Sequence, residues 1–292
     1  MTWFLYAFLS ALLASGSALT AKKALLKEHA MTFAASLALL NAIISGPFLF
    51  FIDYARLRPT HIAAALVTSV IGAAAFLLIT KAIRHMDVGE ASPLLGLEPA
   101  VVAILALVLL GEMLSFLQIT GILLVVLGSY ALERHDGNSL WEPLRELVRK
   151  GPHRNICYAV VLYAITGIIE RFAFTRLDLE PKAYLAFVQI FMAINFVVAI
   201  SIFYGGIGDM RKSLSISGWW ILLASLFTVL HRLLQLEAVR IAYVGLVITV
   251  KRTSAFFTII AAGKFFHEDH LRAKLISSAL IVSGGMLLAL TA

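Results

Sequence analysis

The chain has 292 residues, of which 61% are hydrophobic and only 14% charged. Soluble proteins are typically about a quarter charged, so this composition excludes an ordinary water-soluble domain. A formal charge of +7 would suit nucleic acid, but the Lys and Arg residues sit in short loops and at helix ends, where they orient membrane proteins instead.

One bilayer crossing takes about 20 apolar residues. Apolar runs bounded by charges predict helices at 2–20, 31–53, 62–83, 91–110 and 116–132, then at 156–174, 183–204, 218–239, 244–265 and 273–290. The first run, "MTWFLYAFLSALLASGSALT", lacks the basic leader of a signal peptide and is expected to be a transmembrane helix. Alternation with period two is absent, which argues against a barrel. Cys157 is the single cysteine, so neither an intrachain disulfide nor a cysteine zinc cluster can form.

The two sets of five repeat each other. "AIRHMDVG" (82–89) superposes on "AVRIAYVG" (238–245), and the same offset places Glu112 on Glu268, Leu124 on Leu280, Val126 on Val282 and Gly128 on Gly284. An odd number of helices per half makes the second half enter the membrane inverted, an arrangement found in alternating-access carriers. The expected fold is therefore an all-α integral membrane protein of ten transmembrane helices in two inverted five-helix repeats. Residues 1–132 form the first repeat, 133–154 a linker and 155–292 the second repeat. In the linker, Ser139 and Glu142 form a capping box, and Leu140, Trp141, Leu144, Leu147 and Val148 share one face. This suits either a helix lying on the membrane surface or an ordinary connection.

The stretch "LEPAVVAILALVLLGEMLSFLQITGILLVVLGSYAL" (97–132) and its weaker copy at 250–290 resemble the EamA branch of the drug/metabolite transporter superfamily. Leu97, Glu98 and Pro99, followed by Gly111 and Glu112, carry the pattern. In the second half Ala255 stands in place of the proline and His267 in place of the glycine, which puts a symmetric kink of the fourth and ninth helices in question. The resemblance implies a carrier in a cell membrane, without fixing a substrate. It also implies a role for Lys251 and Arg252, since sugar-phosphate and nucleotide-sugar carriers of the superfamily grip substrate with a Lys-Arg pair in the ninth helix.

A charge at mid-bilayer costs roughly 2.5–3.5 kcal/mol on insertion scales, so it faces a cavity or a partner. Arg232, Lys251 and Arg252 are deep in their predicted spans, with His231 beside them; Glu98 is the one deep carboxylate, and Glu170 lies nearer a helix end. Cations outnumber anions, which favours an anionic ligand: Arg grips carboxylate or phosphate with a planar fork, and Lys supplies a point charge. Ser254 follows Lys251 by one turn, Tyr163 precedes Glu170 on the sixth helix, and Asn41 and Gln189 add polar groups on the second and seventh. Such polar residues also bond helices to one another. Glu98 has three readings: a proton-coupling group, a partner for Lys251 or Arg252, or a helix-positioning residue beside Pro99. Glu98 and Glu170 are the candidates for coupling.

Glu112 and Glu268 are expected to cap helix starts. Gly121 with Gly128, and Ser277 with Gly284, are expected to make close helix contacts, within a monomer or across a homodimer. His267 and His270 in "HEDH" do not make a metal motif, and no nucleophile elbow, phosphate-cradling loop or HExxH pattern occurs, so neither enzyme activity nor a metal or other cofactor is expected. The expected protein is a multi-pass secondary transporter of a bacterial cytoplasmic membrane. It moves a small phosphate- or carboxylate-bearing metabolite, with possible coupling to protons or a counter-substrate. The alternatives are a flippase for a phosphate-bearing lipid headgroup and an exporter of amino acids or drugs. Loops after odd-numbered helices carry most of the Lys and Arg, which predicts both termini outside the cytoplasm; the family resemblance implies termini inside.

Overall fold

The computed structural model describes residues 2–85, 95–132, 151–258 and 271–290. These form ten α-helices and no strand: α1 (Thr2–Leu25), α2 (Ala30–Ser45), α3 (Pro59–His85), α4 (Glu98–Leu110), α5 (Phe116–Leu132), α6 (Gly151–Thr175), α7 (Pro181–Phe203), α8 (Ile207–Ile241), α9 (Val244–Arg252) and α10 (Leu271–Leu290). Two 3-10 turns, Gly46–Phe51 and Tyr54–Arg56, join α2 to α3. Six of the helical spans are long and apolar enough to cross a membrane, and three more apolar segments are shorter. The linker's capping box and amphipathic face lie outside the described residues, as do Glu268 and the "HEDH" stretch.

Local chemistry sets the boundaries. Pro181 opens α7, where its missing N–H is one of the donors a helix leaves unpaired anyway. Gly111 closes α4 at φ 69°, a left-handed conformation that costs a side-chain-bearing residue more. Ser115 and Gln118 form a reciprocal capping box at the start of α5: the Ser115 N–H donates to Oε1 of Gln118 at 2.9 Å, and the Gln118 N–H to Oγ of Ser115 at 3.3 Å. At 35 residues α8 is longer than expected, with its first turns reaching past the predicted span.

Each set of five helices packs chiefly on the other set. Helix α1 lies against α8 as α3 lies against α6; α2 meets α8 as α3 meets α7; and α1 touches α9 as α4 touches α6. The pairs α2–α7, α4–α9 and α5–α10 join counterparts directly. Small residues allow close approach, and many large ones point outward: Ala7, Ala11, Ala35 and Ala164 are buried, while Phe50, Phe116 and Leu290 are exposed. This suits a bilayer, where apolar tails solvate the outer face and packing of small residues drives helix association.

The α5–α10 seam uses the glycines noted above, and it lies within one chain. A methyl group at Gly284 would stand 2.7 Å from the Gly121 carbonyl oxygen, and one at Gly128 would stand 2.8 Å from the Ile281 nitrogen. These small-residue faces are filled by the chain itself.

Candidate functional site

Helices α4, α6, α8 and α9 bring seven of the predicted residues into one region: Glu98, Tyr163, Glu170, His231, Arg232, Lys251 and Arg252. Lys251 lies within range of the charges of Arg232, Glu98, Glu170 and Arg252; Tyr163 lies within range of Glu98 and Arg232. The ends of α4, α6 and α8 and the start of α9 meet at one face of the bundle, where Glu112 and Arg171 tie them together. Measured inward at about 1.5 Å per residue, Glu170, Lys251, Arg232 and Glu98 lie roughly 8–18 Å deep. In a hydrocarbon core of about 30 Å, that runs from about a quarter of the way in for Glu170 to just past the centre for Glu98.

Two interruptions shape this region. Before α4 the chain turns at Gly96 and Leu97, and α9 is interrupted at Thr253 before its helix resumes over 254–258. The repeat offset matches Leu97 with Thr253, so the breaks correspond although Ala255 has replaced the proline. In α9 threonine does the work: the Thr253 N–H and hydroxyl both donate to the Val250 carbonyl, at 3.0 and 2.7 Å.

In α4 the break has a different cause. Residue 99 would normally donate its N–H to the Leu95 carbonyl, four residues back; proline has no N–H to give. The Arg252 guanidinium donates to that carbonyl instead. It also pairs with Glu98 at 3.3 Å, so Arg252 holds the opening of α4 by its carbonyl and its first side chain together.

Arg232 and Glu170 form the second pair, at 2.5 Å. Glu170 is 1% exposed and its Oε2 has no hydrogen-bond partner among the described residues; the Arg232 side chain is 22% exposed. Lys251 differs from both arginines: half-buried, it makes no hydrogen bond or ion pair among the described residues. The cluster therefore holds three cations and two carboxylates, each carboxylate paired with an arginine, with the ammonium left over. Beside it, Nδ1 of His231 is buried with no hydrogen-bond partner among the described residues.

Other predicted residues are employed elsewhere. The Ser225 hydroxyl donates to Oδ1 of Asn41 at 2.6 Å, so Asn41 joins α2 to α8. Gln189 is buried on α7 with no hydrogen bond among the described residues. Ser254 lies just past the α9 break, where its carbonyl accepts the Thr258 hydroxyl at 2.8 Å. Tyr184 is fully buried and donates to Thr68 at 2.7 Å, within range of Glu170 and Arg232. It goes unnoticed in the sequence because one tyrosine in an apolar run carries no spacing signal.

Glu112 caps a helix start, and that helix is α9: Oε2 accepts the Val244 N–H at 3.1 Å. Its Oε1 accepts from Nε of Arg171 at 2.9 Å, and Arg171 donates in turn to the Val239 and Arg240 carbonyls at the end of α8, at 2.7 and 2.8 Å. Burial pushes the Glu112 carboxyl above the ordinary carboxylate range, while Arg171 and the Val244 N–H pull it back. At the same face a cleft of about 630 Å³ is lined by Asp53, Arg56, Arg58, Asp178, Glu180 and Arg240 among others. It shares no residue with the mid-depth cluster and carries both signs of charge, so it reads as a mouth of the bundle.

Residues 1–133 match the profile of the EamA-like transporter family. A solved crystal structure of a protein superposes over 100% of this chain and 99% of its own, with a TM-score of 0.74 and 15% identity, which shows a shared fold. No curated protein matches the sequence.

Proposed function

We propose that this membrane protein, whose residues 1–133 match the EamA-like transporter family, belongs to the EamA branch of the drug/metabolite transporter superfamily and is a secondary carrier for a small anionic metabolite bearing phosphate or carboxylate. Lys251 carries the proposal. A half-buried ammonium with no partner among the described residues is costly inside a membrane, and an anion arriving from either side removes that cost. Arg232 is close enough to add a planar fork to the same ligand.

The carrier works by alternating access between two inverted repeats, 1–132 and 155–292, in a bacterial cytoplasmic membrane. The helix pairing supports two repeats, since the main contacts between unlike helices of the two sets (α1–α8 with α3–α6, α2–α8 with α3–α7, α1–α9 with α4–α6) interchange when the halves do. The turn at Gly96 and Leu97 that opens α4 and the interruption of α9 at Thr253, both beside the cluster, support a midplane site, as in carriers with discontinuous helices.

The test is ligand-dependent stability. A ligand that prefers the native state raises its melting temperature. Purified protein screened against phosphorylated and carboxylated metabolites should be stabilised by at least one, and Lys251→Ala should lose that shift while keeping its own melting temperature or gaining on it. Removing an uncompensated buried charge relieves desolvation. An equal ligand response in Lys251→Ala would overturn the proposal, as would a response confined to neutral or cationic compounds.

A further inference from the structure

Glu170 has one described counter-charge bonded to it, Arg232. It is 1% exposed, one oxygen bonds Arg232 at 2.5 Å, and the other has no partner among the described residues. The groups around it are Tyr184 from α7, Arg232 from α8 and Lys251 from α9; α4 brings Glu98 near Lys251, and α3 contributes Thr68, already bonded to Tyr184. No described cation other than Arg232 bonds Glu170. From these contacts we infer that Glu170 is the proton site of the carrier, loaded when an anion takes Arg232 away from it.

The exchange rests on the anion site proposed above, and its charges balance. An incoming anion settles on Lys251 and draws the Arg232 guanidinium into a fork. Glu170 then has no counter-charge, and a buried carboxylate without one neutralises instead of remaining ionised. A proton from water binds at Oε2, the oxygen that lacks a partner, giving the neutral acid. When the anion leaves, Arg232 returns and the proton is released. One negative charge and one proton thus enter the site together.

Glu98 is less suited to this role. Its side chain is 21% exposed, and its partner Arg252 is held in place by the Leu95 carbonyl, so an anion cannot withdraw that arginine without reopening the start of α4.

Sulfate is the probe, because its own charge is constant over the pH range used. Sulfate affinity of the purified protein, followed by thermal shift and calorimetry from pH 5 to 9, should fall as pH rises, by up to about tenfold per unit for a single linked proton. Glu170→Gln mimics the protonated acid, so it should bind sulfate with no pH slope and at least as tightly as the wild type does at pH 5. Wild-type protein in weakly buffered detergent should take up one proton per sulfate bound, and its infrared difference spectrum should gain a protonated-carboxyl band. That measurement stands even where the glutamine variant folds poorly. Sulfate binding without a pH slope, or a slope that survives in Glu170→Gln, overturns the proton site and leaves the anion carrier standing. No sulfate binding at any pH overturns both.

Discussion

Replacing Arg252 by alanine removes the donor for two acceptors at once, the Leu95 carbonyl and the Glu98 carboxylate. An unpaired buried acceptor costs about 1–3 kcal/mol, so Arg252→Ala should lower the melting temperature. Adding Pro99→Ala gives residue 99 an N–H for the Leu95 carbonyl and should recover part of the loss; no recovery would detach Arg252 from the proline break. Lys251→Ala should do the reverse, keeping stability and losing the ligand shift. Two neighbours read together in the sequence are thus expected to separate on mutation. Their depth was legible from the apolar run around them. Their different partners were not, because Leu95 is 157 positions from Arg252 and a backbone carbonyl leaves no trace in the residue code. Glu98→Gln keeps a hydrogen-bonding side chain beside Arg252, and proteoliposomes carrying it should still show transport driven by a pH gradient. Loss of that drive alone, with substrate exchange intact, would move the proton site to Glu98.

At the scale of elements, the α5–α10 seam offers a graded test. A Cβ at Gly284 meets the Gly121 carbonyl, a backbone atom that cannot rotate away, so the helices must separate. Overpacking of this kind costs about 1–3 kcal/mol, and Gly284→Ala should melt earlier than wild type. Gly46→Ala, where nothing lies within 4 Å, should melt with it. Each of the ten described helices falls on an apolar run of the sequence, and six of the described spans have the length and hydrophobicity a bilayer crossing needs. The interruption of α9 was harder to read: the proline that marks the fourth helix is absent at Ala255, and the break is made by the Thr253 hydroxyl, which many uninterrupted helices also contain. Glu112 was legible as a cap, but the helix it caps begins 132 positions later at Val244, and only the fold brings them together.

At the scale of the whole molecule, each set of five helices packs chiefly on the other, a pairing of segments far apart in the chain that apolar runs do not announce. Orientation is set by a separate signal, the Lys and Arg of the loops. A reporter fused at Ala292 should give a non-cytoplasmic signal by the positive-inside rule; a cytoplasmic signal would show that the arrangement implied by the family resemblance prevails over the charge count.

The pairing also bears on how the protein is made. Ser10 on α1 donates to the His231 carbonyl on α8, a partner synthesised 221 residues later. At about 5–20 residues per second, α1 spends roughly 10–40 s in the lipid before that carbonyl exists. During this interval the buried Ser10, Asn41 and Ser45 of α1 and α2 have no second-half helices to face. The nascent first half is therefore exposed to quality-control proteases and to premature association with other chains. A ribosome stalled in the linker should leave a fragment that is inserted but unusually short-lived.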